Sequence, residues 1–272
     1  MRRLLAYFTA FGVLAAAAAP AATITIVNTD GAGEGFNDPT VVAPVGGNPG
    51  TTLGAQRLNV FQHAADIWGA ILPSTVAVQV NAKFDPLSCT ATSGVLGSAG
   101  PTSVYRDFSG APVAAHWYHV ALANKLNGTD LNGASYEINA TFNSSLGTAS
   151  CLPAGWYLGF DGNEGSQIEL LPVVLHELGH GLGFSTTTNG ATGAYLSSFP
   201  SIYDYYTHDG LTDRHWDDPA ESAADRVASA ISCDRLTWDG AASMLRAADF
   251  LGPKPLLRIT APAGVAGDYD VG

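Results

Sequence analysis

The chain has 272 residues, with 24 acidic against 12 basic side chains and a formal charge of −12 at neutral pH. That balance excludes a nucleic-acid or anionic-membrane partner held by basic patches. Charged residues are only 13% of the whole and glycine is plentiful, as in exported proteins with long ordered loops.

Arg2 and Arg3 precede an apolar run, Leu4 to Ala19, which is short for a membrane span. Ala19-Pro20-Ala21 supplies the small residues of a cleavage site, so residues 1–21 read as a secretory signal peptide. Its removal takes away those two arginines and leaves a charge of −14. No later stretch is long and apolar enough to span a bilayer. The mature chain is therefore expected to be secreted, extracellular or periplasmic, with no membrane partner after processing.

Residues 22–240 suffice for one domain or a two-lobed one. Thr23 to Asn28 alternates β-branched residues and predicts a first strand, followed by turn-rich sequence from Asp30 to Gly50. Leu53 to Leu72 predicts a helix, with Leu58, Phe61, Ala65, Trp68 and Leu72 on its apolar stripe, His63 facing solvent and Pro73 as its stop. Val76 to Phe84 and Ile138 to Phe142 predict strands. Between them, Val113 to Leu126 predicts a helix carrying His116 and His119, whose three-residue spacing without an acid suits surface or packing roles.

Of the three cysteines, Cys89 and Cys151 both precede the motif described next, in loop-like sequence, and form the favoured disulfide of an exported chain. Cys233 is left over. Asp161-Gly162-Asn163-Glu164-Gly165 reads as a solvated turn and as a candidate calcium loop, because hard cations take oxygens from tight turns.

The stretch from Leu175 to Phe184 reads LHELGHGLGF. On a helix, His176 and His180 leave one face a turn apart and can hold one zinc ion. Glu177 beside them can act as general base toward a zinc-activated water. Pro172 suits a first helical position, and Leu171, Val174, Leu175, Leu178 and Leu182 form a stripe turned away from the histidines. Gly179, Gly181 and Gly183 suit a place where substrate or another backbone approaches closely, and Gly183 can end the helix.

His176-Glu177-x-x-His180-x-x-Gly183 resembles the opening of the metzincin signature, and the run through Ser185 is most similar to leishmanolysin-type and related exported bacterial metallopeptidases. The resemblance implies a protein or peptide substrate and a metzincin-like α+β fold, with a sheet-and-helix upper lobe carrying the active-site helix and an irregular or helical lower lobe. The chain departs from the short metzincin pattern at Thr186, which stands where a third ligand is expected. In leishmanolysin-like sequences the third histidine follows an insertion and precedes tryptophan, and Arg214-His215-Trp216 has that form. His215 is thus the first candidate for third ligand, Asp204 the next and His208 the last. Tyr203, Tyr205 and Tyr206 are candidates to stabilise an oxyanion. Met244 is the one methionine available for a turn beneath the metal.

Asp218-Pro219-Ala220-Glu221 predicts a capped helix start, with Asp218 as N-cap and Glu221 closing a capping box. Glu221-x-x-x-Asp225 is also the third-ligand pattern of thermolysin-like peptidases, which stays as an alternative. Residues 241–272 form a tail with one strand near Leu256–Ile259, similar to the lead-in of a protease-associated domain. The alternative from another class is a non-catalytic exported adhesion or binding module that keeps a structural zinc site.

Overall fold

The computed structural model describes residues 20–232, 235–241 and 243, and the backbone of 257–260 and 270–271. Most of the expected signal peptide, together with Cys233 and Met244, lies outside the described residues.

The first half of the chain builds a sheet covered by helices. β1 (Ile24–Asn28) leads to α1 (Leu53–Ile71), which starts where the Thr52 side chain accepts from the Ala55 amide and stops at extended Leu72, before Pro73. β2 (Val78–Asp85) alternates as its sequence does, with Val78, Val80, Ala82 and Phe84 inward. β3 (Gly97–Pro101) follows, then the short pair β4 (Val104–Tyr105) and β5 (Tyr118–His119), then α2 (Val120–Asn127) and β6 (Ile138–Asn143). β7 (Trp156–Tyr157) and β8 (Ile168–Glu169) pair in parallel and deliver the chain into α3 (Leu170–Leu182).

The main sheet has the order β1-β2-β6-β3. β1, β2 and β6 run parallel, with Ile24 opposite Val78 and Val80 opposite Ile138; β3 is an antiparallel edge with Ala99 opposite Ala140. α1 and α3 pack on each other and on this sheet. Phe36, Phe61, Phe84 and Phe142 interlock at its centre, neighbouring rings 4.7–5.9 Å apart. The Cys89–Cys151 disulfide closes the loops beyond the sheet.

After Gly183 the chain forms a second, smaller unit. It contains α4 (Ile202–Tyr206), β9 (Thr207–Asp209), β10 (Arg214–His215), α5 (Ala223–Ala230) and β11 (Leu236–Trp238). β12 (Leu257–Thr260) and β13 (Asp270–Val271) extend an antiparallel sheet of order β10-β9-β11-β12-β13. The fold is thus mixed α and β, and the lower half is sheet-bearing rather than merely irregular or helical. The expected strand near Leu257 is present and adds to β11. Trp117 stitches the halves together, its amide donating to the Pro200 carbonyl (2.8 Å) while its own carbonyl accepts from Ile202 (2.8 Å).

Several expectations need correction. The helix expected over 113–126 begins only at Val120. Ala115 takes a left-handed φ of 59°, and Tyr118 and His119 pair with Tyr105 and Val104 as a strand, which leaves no helical turn for His116. His63 is half-buried, its ring tilted against Phe160 at 4.6 Å. α3 begins at Leu170, so Pro172 sits third in the first turn, where its missing N–H is still no loss. α5 is capped by Ser222, which accepts from the Asp225 amide, four residues later than the Asp218 start; Asp218 instead accepts from Ala220 in a turn.

Candidate metal centre

Helix α3 is held by what it buries. Leu170, Val174 and Leu178 enter the core, and Trp68 donates its indole N–H to the Leu175 carbonyl at 3.0 Å. Gly181 lies so close to β6 that a Cβ would fall 2.5 Å from Ile138, so the close approach its size permits is to the sheet. Gly183 ends the helix at φ 130°.

The opposite face presents the two histidines. Their Nε2 atoms lie 3.0 Å apart, with the rings edge to face. With His180 Nδ1 protonated, that distance is a hydrogen bond from His176 Nε2 to His180 Nε2; two imidazoles bound tetrahedrally to one zinc would stand slightly farther apart, at roughly 3.3 Å. His180 Nδ1 donates to the Phe184 carbonyl at 2.9 Å, which fixes its tautomer and leaves Nε2 as an electron-pair donor. His176 is exposed and His180 buried, so the pair sits at a boundary between solvent and core. Zinc takes imidazole donors, and the pair supplies two of the three protein ligands that a catalytic zinc site uses.

Glu177 is 6% exposed, and its Oε2 accepts from the backbone amide of Ala99 at 2.7 Å. That amide belongs to β3, so the carboxylate is anchored to the edge strand. The contact had no signature in the sequence: Gly-Ser-Ala-Gly-Pro lacks any apolar alternation, and the donor is a backbone group.

The other candidates lie elsewhere. Asp204 is fully buried; Thr186 and Thr188 hydroxyls donate to it at 2.5 and 2.7 Å, as does the Ser201 amide at 2.7 Å, closing a capping box at the start of α4. Burial pushes its carboxyl pKa up, against the pull of those hydrogen bonds. His215 Nε2 pairs with Asp239 at 2.6 Å, its ring parallel to Tyr205 at 6.3 Å. His208 pairs with Asp213 at 3.1 Å. Glu221, the thermolysin-like alternative, is buried with Thr212 donating to it at 2.7 Å, and it closes no capping box. Among the described residues, no three His, Cys, Asp or Glu side chains converge on a common metal position. The structure therefore brings His176 and His180 together with Glu177 beside them, and does not gather His215, Asp204, His208 or Glu221 to them.

Of the three tyrosines, Tyr203 is packed with Phe184 and Trp238, Tyr206 is half-buried, and Tyr205 is the exposed one, at 40%. In the candidate calcium loop, Asp161 accepts from the Tyr157 hydroxyl and the Asn163 amide. The Asp161 hydrogen bond, with burial and its charge, pushes the Tyr157 phenol up to about 12.

Of the two remaining histidines with shifted pKa values, only His119 touches the site. His116 Nε2 bonds Asp217 at 3.0 Å. Burial opposes its charged form, but the Asp217 and Ala114 bonds outweigh this and raise its pKa above the ordinary histidine value. His119 is 3% exposed, with Nδ1 3.0 Å from the His180 carbonyl and Nε2 3.5 Å from the Ser185 hydroxyl. Burial pushes its pKa down to about 4, so it is neutral. No family model matches the chain, and no curated protein or solved structure matches it either.

Proposed function

We propose that the chain is an exported zinc metallopeptidase of metzincin-like type, hydrolysing peptide bonds in protein or peptide substrates. The observation that carries this reading is the pair of Nε2 atoms 3.0 Å apart with an anchored carboxylate on the neighbouring residue. His176 and His180 would hold the metal, and His215, the third ligand that the resemblance implies, would have to move from its place beside Asp239 to join them. Zinc held there would polarise the scissile carbonyl and lower the pKa of water toward about 7.

The chain's own groups supply the rest. Glu177, fixed through Oε2, is placed to take a proton from the attacking water and return it to the leaving amine. Among the described residues β3 pairs with β6 alone. An extended peptide reaching this edge would meet Glu177 at the Ala99 amide, which would bring a scissile bond beside the carboxylate.

The test is zinc content and peptide turnover of the mature chain, with Glu177→Gln and His215→Ala beside it. Wild type should hold about one zinc. Glu177→Gln should keep that zinc and lose turnover by about 10²–10⁴-fold, and His215→Ala should lose zinc. A wild type without zinc overturns the reading; zinc without turnover in any peptide assay favours the structural-zinc alternative.

A further inference from the structure

We propose that His119 is a positioning residue for the metal centre, holding the last turn of α3 on which His180 stands. The inference rests on the reading of His176 and His180 as ligands.

The two ligands differ in how well their helix supports them. His176 lies mid-helix, whereas His180 lies two residues before the end at Leu182, in the turn where carbonyls lack helical partners and helices fray. A ligand in that turn needs support from outside the helix. The His180 carbonyl receives it from two donors, the Gly183 amide at 3.2 Å and His119 Nδ1 at 3.0 Å.

His119 also reaches the next segment. The His180 ring donates to the Phe184 carbonyl, so the ring's aim depends on where residues 183–185 lie. The Ser185 hydroxyl meets His119 Nε2 at 3.5 Å, and the Phe184 amide returns to the Gly179 carbonyl at 3.0 Å. One imidazole thus spans both ends of the 180–185 segment that fixes the ligand. His119 is itself held, paired with Val104 in β5 and standing at the N-cap of α2. Its ring makes hydrogen bonds to this segment through both nitrogens, which a space-filling residue would not.

The experiment measures zinc affinity of the full mature chain by chelator competition, alongside the melting temperature of the metal-free protein, for His119→Asn, His119→Gln and His119→Leu. The Asn amide can keep a donor close to the position of Nδ1; Gln reaches the position of Nε2; Leu fills space without a donor. The expected result is affinity near wild type for Asn and a loss of about 10–100-fold for Gln and Leu, with metal-free melting temperatures of Asn and Gln alike. Gln binding as tightly as Asn overturns the proposal, and this comparison stands even if Leu fails to fold. A wild type that binds no zinc would overturn the peptidase reading instead, so the two failures are distinct.

Discussion

The half of the chain before Gly183 and the half after it are held by different forces. In the first, apolar side chains from α1, α3 and the parallel strands close on one another, and Val60, Phe61, Val80, Ile138 and Phe142 have no exposure at all. In the second, the apolar cluster is small and buried polar groups bear much of the structure. Arg226 donates to the carbonyls of Gly193, Trp216 and Glu221 and to the Tyr195 hydroxyl, while its guanidinium lies 4.1 Å from the Tyr195 ring centre. Arg235 grips buried Asp209 through two nitrogens, and Asp204 collects three donors. An apolar core loses stability in proportion to the contacts removed. A polar network strands the partner of whatever is deleted. His180 stands where the two regimes meet, its helix in the first and the Phe184 that receives its proton packed on Tyr203 and Trp238 in the second.

The contrast can be broken by mutation. Phe142→Ala should cost about 3–5 kcal/mol in denaturant unfolding, because a fully buried ring leaves a cavity between strand and helix; a loss below about 1 kcal/mol would mean that the upper core is not what it looks like. Reduction of Cys89–Cys151, which spans 62 residues, should lower stability by about 2–4 kcal/mol in the same assay. Asp204→Ala should cost about 2 kcal/mol, since it orphans two hydroxyls and an amide and removes the α4 capping box. Hydrogen exchange should then rise in residues 186–209 and hold steady in β2 and β6, and uniform acceleration would refute the division into two regimes.

The smallest effect sharpens the polar side and depends on pH. Glu221 is buried, and burial together with the charge of Asp209 and a hydrogen bond shared with it raises its pKa despite the Thr212 bond. A carboxyl with a raised folded pKa contributes stability below its unfolded value and loses it as pH rises through the folded one. Glu221→Gln should therefore gain on wild type, by about 1 kcal/mol or less, as pH climbs from 4 to 7. Melting curves across that range check the sign, and a gain that shrinks with pH would rule out the assignment.

Much of the upper half could be read from the chain, and the reasons are physical. β1, β2 and β6 have one face on the core, so their alternation survives in sequence; α1 has a Thr cap and a Pro stop; the two histidines need only helical spacing to meet. β3 was invisible because its strand state comes from pairing with β6, not from its own residues. His116 and His119 were misplaced because a left-handed Ala115 and the pairing of β5 with β4 override helical propensity. Asp204 looked like a ligand from its residue type, yet the hydroxyls that saturate it come from Thr186 and Thr188 in another loop. Glu221 looked like a cap because the pattern around Asp218 was right, while Ser222 starts the helix.

The edge position of β3 matters for the purified protein as well as for its chemistry, although Glu177 takes its Ala99 amide. An unpaired strand is a template for stacking one molecule on another, and self-association is the usual hazard of such an edge. Here the composition works against it: five residues, two of them glycine, and a proline at the end with no amide to donate. Gly100, with open space where a Cβ would stand, marks the position at which a valine would most easily make the edge adhesive.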